Sequence, residues 1–318
     1  MNELIYFFLA LICCVIGIYF FDSWSRKKGF ALGTDINKKN MEKKPEATGI
    51  ILLLILWVFV IALNLLNGIE IKIFYWLGIV SVFSLVGFFD DTKSKWSMKG
   101  LNWSQRAIPI ILFSVLFGYL ISGEIFSGIL IGFFVAGFSS FHNTFAGLNG
   151  WEVGSSYIIA LIAVFLLIGS QFFIYSILVS ALILGLLLFN IFPARVFPGD
   201  SGTLFMGSTI TGLIALTLQK ELMILFAFFY LPHLIDFLFL KMLTNPEDPT
   251  QVKVKPYKLL ENGKLAIPEY KGKKRYDFAK LVLRIFGPLK EWQIVLINWI
   301  IVIINCFIWL NVFEKIIL

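Results

Sequence analysis

Ten long apolar runs dominate this chain of 318 residues, at about 3–21, 48–66, 71–89, 107–122, 125–141, 156–170, 172–190, 203–219, 222–240 and 293–313. A helix needs about 20 apolar residues to cross about 30 Å of hydrocarbon. The runs are continuous rather than alternating with period two, which predicts helices and not a barrel. Connections as short as 67–70, 122–124 and Ser170 make consecutive helices antiparallel neighbours. Composition closes off the alternatives. The chain is 58% hydrophobic and 15% charged, against about 25% charged in soluble domains, so one water-soluble core cannot hold it. Soluble, disordered and collagen-like chains are excluded. The expectation is an all-α polytopic membrane protein with about ten transmembrane helices. It forms a single domain over 1–318, with one sizeable polar segment, 241–292, inserted before the last span.

Charge sets the orientation. Of the 27 Lys and Arg, 24 lie in the segments that follow spans one, three, five, seven and nine; only Lys72, Lys220 and Lys315 lie opposite. By the positive-inside rule the basic side is cytoplasmic and both termini face outward. The net charge of +7 is therefore a topological signal and an attractor for phosphate and membrane lipids, not a mark of nucleic-acid binding. Fourteen of the twenty acids share that side, whereas a channel or alternating-access carrier needs polar groups near mid-membrane. Cys13, Cys14 and Cys306 lie in apolar runs and read as small buried residues, not a disulfide framework. Leu4 to Phe21 has no basic n-region and no small-residue cleavage site, so a cleavable signal is not expected.

Four clusters on the basic side carry the chemistry. Span three ends in Gly87-Phe88-Phe89-Asp90-Asp91; adjacent carboxylates at the mouth of an apolar helix need a cation or proton, and one of the pair suits a proton acceptor. The connection after span five, Phe141 to Gly154, has no Lys or Arg but offers Asn143, Asn149 and three glycines, which permit close approach to a ligand. The connection after span seven, Asn190 to Thr203, places Asp200 just before a helix. There it either caps that helix or helps hold a hard cation such as Mg²⁺. The first loop carries Gly33-Thr34-Asp35-Ile36 and then Lys44-Pro45-Glu46, whose turn chemistry sets Glu46 at the membrane boundary. In the last polar segment, Asn262-Gly263 is a hairpin signal. Phe278, Leu281, Val282, Ile285 and Phe286 recur at the spacing of an interfacial helix. His233 and Asp236, one turn apart, read as a structural pair.

Lys-Pro-Glu-x-x-Gly, Gly-Phe-x-Asp-Asp, Asn-x-x-Ala-Gly-Leu-Asn-Gly-x-Glu-x-Gly and Phe-Pro-x-Arg-Val-Phe-x-Gly-Asp occur here in one order. In this the chain resembles the polyprenyl-phosphate N-acetylhexosamine-1-phosphate transferases, above all the branch acting on UDP-N-acetylglucosamine and dolichyl phosphate. The resemblance implies attack of a polyprenyl-phosphate oxygen on the β-phosphorus of the donor, with release of UMP. It implies Mg²⁺, with Mn²⁺ as an alternative, held by Asn143 and Asp200, and a catalytic pair in Asp90 and Asp91. The UDP-sugar would meet Thr34, Asp35, Ile36, Glu46, Asn149 and Phe197. The lipid phosphate would meet Lys99 and His142. A homodimer is compatible with this reading. Two departures stand out. Bacterial wall-precursor members have Asp-Gly-Leu-Asp-Gly where this chain has Ala146 to Gly150. The His-rich or Arg-His-Arg motif of the last loop falls here on Val252-Lys253-Val254, so Lys253 or Lys255 would stand in as the diphosphate-binding cation. The alternative class is a transporter of lipid-linked sugars or ions.

Overall fold

All ten apolar runs are helical in the computed structural model, which describes residues 2–97, 100–145, 147–244, 256–269 and 276–317. The first seven long helices are α1 (Asn2–Lys28), α2 (Gly49–Asn67), α3 (Ile71–Ser97), α4 (Trp103–Ser122), α5 (Ile125–Thr144), α6 (Trp151–Leu166) and α7 (Phe173–Asn190). Then come α8 (Gly199–Leu216), the short α9 (Lys220–Phe229) and α10 (Leu231–Leu234) with a π-helix at Ile235–Met242, α11 (Phe278–Phe286) and α12 (Glu291–Ile317). Among the described residues seven helices are long and apolar enough to cross a membrane, or eight if α9 and the segment after it count as one bent span. The expected count of ten is larger for a physical reason. Helix α6 has only 16 residues, and α8 interleaves Gly, Ser and Thr with its apolar residues.

Helix α8 explains the packing. Every residue from Ser201 to Leu216 is buried, and α2, α3, α5, α6 and α7 all pack against it. Its small residues let neighbours come close: a Cβ on Gly207 would lie 2.5 Å from Ser139 Cα, and one on Gly212 would lie 2.6 Å from Trp76. Its hydroxyls are satisfied inside the bundle. Ser139 and Thr211 hydroxyls lie 2.9 Å apart, and the Trp76 indole donates to the Thr209 carbonyl at 3.1 Å. Unpaired polar groups there would be costly, so such bonds are the condition for a polar helix in an apolar interior.

The ninth apolar run is broken by 57° between α9 and the segment after it. Pro232 supplies the cause, since it lacks an N–H and its ring crowds the carbonyl four residues back, that of Phe228. Asn305 of α12 donates to the freed Phe228 and Phe229 carbonyls at 3.1 and 3.0 Å. His233 and Asp236, expected to partner each other, have separate neighbours. His233 lies on Phe145, with centroids 4.0 Å apart. Asp236 accepts the Phe278 N–H at 2.8 Å and pairs with Lys241 at 2.7 Å.

Two short hairpins lie outside the helices. The first loop folds into β1 (Leu32–Thr34) and antiparallel β2 (Lys43–Pro45), a pairing its sequence does not advertise. The Asn262-Gly263 signal is met by β3 (Lys258–Leu259) and β4 (Leu265–Ala266), with Gly263 at φ 75° in the turn. Asp277 caps α11 by accepting the Lys280 N–H at 2.8 Å. Phe278, Val282 and Leu283 of α11 join Phe145, Trp151, Tyr257 and Ile294 in a second, smaller apolar core.

Candidate active site

The site is built where helix backbones meet. A Cβ on Gly87 of α3 would lie 2.4 Å from the Asp200 carbonyl carbon, and one on Gly49 of α2 would lie 2.2 Å from that of Ser201. Only glycine fits either place. The end of α3 is thereby set against the start of α8. Asp91, buried, accepts the N–H groups of Asp200 and Ser201 at 2.8 and 3.1 Å. A side chain from one helix thus satisfies the orphan donors that open another. Gly199 is fixed twice over, by φ 66° and because a Cβ there would lie 2.4 Å from Asp91 Oδ2.

Asp90 points the other way. One oxygen accepts the Leu101 N–H, and the other lies 3.2 Å from Arg106 Nη1. The same Arg106 nitrogen is 3.1 Å from Asp200 Oδ2, and the Asn143 side chain lies beside Asp200. Burial, then the adjoining Asp90 carboxylate, push the Asp200 carboxyl above the usual carboxylate range. Two carboxylates so close need a cation between them, and here Arg106 is that cation.

Hard oxygen donors of this kind fit a small divalent ion. Among the described residues no three His, Cys, Asp or Glu side chains surround one metal position. An ion here would be held by Asp200 and Asn143, with phosphate and water as its other partners, the habit of Mg²⁺.

Beside this centre the first loop and the α7–α8 connection are stitched together. Phe197 N–H donates to the Pro45 carbonyl at 2.7 Å and Thr48 Oγ1 to the Phe197 carbonyl at 2.9 Å, while Glu46 N–H, donating to the Ala31 carbonyl at 2.7 Å, extends the first loop's own hairpin. Gly33 adjoins both Glu46 and the Phe197 ring. Asp35 is buried, with Lys44 Nζ at 2.8 Å and the Asn149 amide at 3.2 Å. Burial opposes its charge, but the Lys44 and Asn149 hydrogen bonds and the Lys38 and Lys44 charges outweigh it and hold the carboxyl below its ordinary value. Thr34 and Ile36 are exposed on the same loop.

The expected site residues therefore divide. Asp90, Asn143 and Asp200 converge on one spot, Glu46, Asp35 and Phe197 lie on the stitched loops, and Asn149 of the α5–α6 connection bonds to Asp35. Asp91 departs from the proton-acceptor expectation, because both its oxygens are engaged in holding α8. His142 departs as well: its ring is buried, with Nδ1 2.6 Å from Ser156 Oγ and Nε2 2.6 Å from Tyr230 Oη. The Gly150–Gly154 turn approaches Trp299 of α12 rather than a ligand, since a Cβ on Gly154 would lie 2.2 Å from its ring. Lys99, Lys253 and Lys255 lie outside the described residues.

Sequence reading missed Arg106, Lys44 and Glu291, whose carboxylate accepts the Asn149 N–H at 2.9 Å. For Arg106 a signal existed: it is a charged residue at the edge of an apolar run, a position that demands a partner. Arg106 and Asn143 also stand at one end of a groove of about 390 Å³ between α4 and α5. Ile110, Ile111, Phe133, Ala136 and Leu204 line the rest of it. The groove is an apolar channel with a polar, cationic end.

Comparison with known proteins agrees. Residues 73–219, which run from α3 to just past α8, match the family described as glycosyl transferase family 4. A Sulfolobus acidocaldarius protein, provisionally named a UDP-N-acetylglucosamine–dolichyl-phosphate N-acetylglucosaminephosphotransferase, is 29% identical over 301 residues, covering 86% of this chain and 85% of its own. A provisionally named glycosyltransferase of Methanocaldococcus jannaschii is 28% identical over 286 residues, covering 86% and 84%. The phospho-N-acetylmuramoyl-pentapeptide-transferase of Oceanobacillus iheyensis is 26% identical over 226 residues, covering 61% and 69%.

Proposed function

We propose, for this phosphosugar transferase similar over residues 73–219 to glycosyl transferase family 4, that it is of the polyprenyl-phosphate N-acetylhexosamine-1-phosphate type, and we propose its donor and acceptor. It transfers N-acetylglucosamine 1-phosphate from UDP-N-acetylglucosamine to a polyprenyl phosphate of dolichyl type, and so begins a lipid-linked oligosaccharide for protein glycosylation. The observation that carries this reading is the groove between α4 and α5, whose apolar length ends at Asn143 and at Arg106, the residue that holds the Asp90–Asp200 pair. An isoprenoid chain would fill the apolar part. Arg106, a planar fork suited to phosphate, would take the head group in place of its present carboxylates.

In the proposed reaction an acceptor phosphate oxygen attacks the phosphorus next to the sugar. The bond from that phosphorus to the bridging oxygen breaks, and UMP leaves. Asp90 meets Arg106 at the end of the groove and would orient the acceptor or take its proton. Asp91 would act indirectly, by fixing the N–H groups of Asp200 and Ser201. Glu46, Phe197 and the Asp35–Asn149 pair would position the donor, Phe197 by stacking on the base, with Thr34 and Ile36 beside them. A Mg²⁺ or Mn²⁺ held by Asp200 and Asn143 would supply charge neutralisation on the donor diphosphate. All these groups share the side that holds most of the Lys and Arg, so the reading puts them in the cytoplasm. It counts ten crossings by taking the bent α9 pair as one span and adding α6 and the enclosed α8.

The test is a transfer assay on detergent-purified protein with polyprenyl phosphate, Mg²⁺ and a panel of tritiated UDP-N-acetylhexosamines. A lipid-extractable diphosphate from UDP-N-acetylglucosamine, with one UMP per product, is expected. Product from another donor alone would reassign the sugar, and no product from any would overturn the reaction. Asp200→Asn should lower the rate by about 10²–10⁴, the scale seen for a directly acting polar group, in protein that still elutes as folded.

A further inference from the structure

A second cleft, of about 400 Å³, lies between the first loop, the β3–β4 hairpin and the start of α12. None of Asp90, Asp91, Asn143 or Asp200 lines it. Its floor is apolar, from Leu259 and Leu265, with the rings of Phe192 and Trp292 at its sides. The hairpin is pinned to the approach to α12 by paired hydrogen bonds between Leu265 and Leu289, at 2.7 and 3.2 Å. This wall is therefore part of the fold and not a loose flap. The volume falls within the range of about 300–1,000 Å³ usual for small-molecule sites.

The polar lining is unbalanced in a way that points to a ligand. Lys38 is committed: it pairs with Glu291 and sits 4.1 Å from the centre of the Phe192 ring. Glu291 is committed too, to Lys38 and to the Asn149 N–H. Lys39 and Lys290 line the same cleft and have no ion pair among the described residues. Asn37 is only 8% exposed, lines the cleft, and its Oδ1 has no hydrogen-bond partner. A buried amide oxygen in that condition is destabilising until something donates to it.

We infer that this cleft is a second ligand site, for a phosphate-bearing molecule that also carries an O–H or N–H donor. The phosphate would lie between Lys39 and Lys290, the donor would meet Asn37 Oδ1, and the apolar part would rest against Leu259, Leu265 and the two rings. Two sources supply this chemistry: a phospholipid head group at the membrane surface, or a soluble phosphomonoester. Neither is the diphosphate centre, which is built from carboxylates and an amide.

Binding is measured on the full purified chain in detergent. One arm titrates phosphatidylglycerol, which has the phosphate and the hydroxyls, against phosphatidylcholine, which has no donor, by native mass spectrometry. The other measures radiolabelled glycerol 1-phosphate by equilibrium dialysis. The variants are the double change Lys39→Glu with Lys290→Glu and, separately, Asn37→Ala. If the charge reversal fails to fold, Lys39→Gln with Lys290→Gln replaces it. The expected result is binding of phosphatidylglycerol over phosphatidylcholine, or of glycerol 1-phosphate, weakened by about tenfold or more in the lysine variant and by a smaller factor in Asn37→Ala. The first outcome names the lipid as the source and the second the soluble ester. Binding of neither probe, or binding equal in wild type and variants, overturns the site. The readout is occupancy, so it stands apart from whether the chain transfers N-acetylglucosamine phosphate.

Discussion

Helices α8 and α12 are both long, uncharged over most of their length and helical throughout, yet they obey opposite rules. Helix α12 is built from Ile, Val, Leu, Phe and Trp, and only 28% of its most apolar window is buried inside the protein. Helix α8 carries four Gly, two Ser and three Thr and is buried from Ser201 onward. In lipid no hydrophobic force drives helices together, because hydrocarbon tails are as apolar as leucine. Large apolar residues therefore mark the surface that meets lipid, and small residues mark the seam where backbones close on each other. The helix that carries Asp200 is the one hydropathy ranks low. Close packing against α2, α3 and α5 is what brings its first turn to Asp90, Asp91 and Asn143.

The contrast breaks first at the seam. Gly207→Leu drives a side chain into the Ser139 backbone, where even a Cβ would lie 2.5 Å from Cα. The expected cost is above about 3 kcal/mol, beyond ordinary overpacking, read as loss of a monodisperse peak on size exclusion; wild-type behaviour would refute the close packing. Next, Asp91→Asn puts an amide N–H₂ against the donors of Asp200 and Ser201. It should destabilise the fold by about 1–3 kcal/mol, seen as a lowered Tm, whereas Asp90→Asn should leave Tm nearly unchanged and slow turnover. If the two swaps behave alike, the division of labour between the neighbouring carboxylates is wrong. Arg106→Ala should raise KM for polyprenyl phosphate by about tenfold and leave that for the UDP-sugar almost unaltered, the scale of one charge-assisted contact. A rise in the donor KM instead would move Arg106 to the other substrate. The smallest effect belongs to α12, where Phe307, 66% exposed, changed to Leu should stay within about 0.5 kcal/mol of wild type in thermal unfolding.

Most helices were legible because each apolar run carries its own signal. The hairpin at Asn262-Gly263 and the helix after Tyr276 were legible for the same reason, turn chemistry in one and periodicity in the other. The β1–β2 pairing was not. Its residues carry no turn signal of the Asn-Gly kind, and its outer strand is met by Phe197 N–H at the Pro45 carbonyl, a partner about 150 residues away in sequence. Arg106 was counted among the basic residues of its loop but given no role, since its two partners come from α3 and α8. The glycines after Asn149 look the same in sequence whether they face a ligand or Trp299; only the bundle decides.

Residue order alone determined that this chain is a bundle of membrane helices, which side holds its charges, and that Asp90, Asn143 and Asp200 open on that side. These follow from free energies of transfer and from charge asymmetry, both of which add along the chain. The tertiary structure decided that Asp91 is spent on holding α8, that Arg106 bridges Asp90 and Asp200, and that His142 belongs to the interior. Each of these turns on contacts a few ångströms long between residues far apart in the chain, and such contacts exist only once the glycine seams have closed.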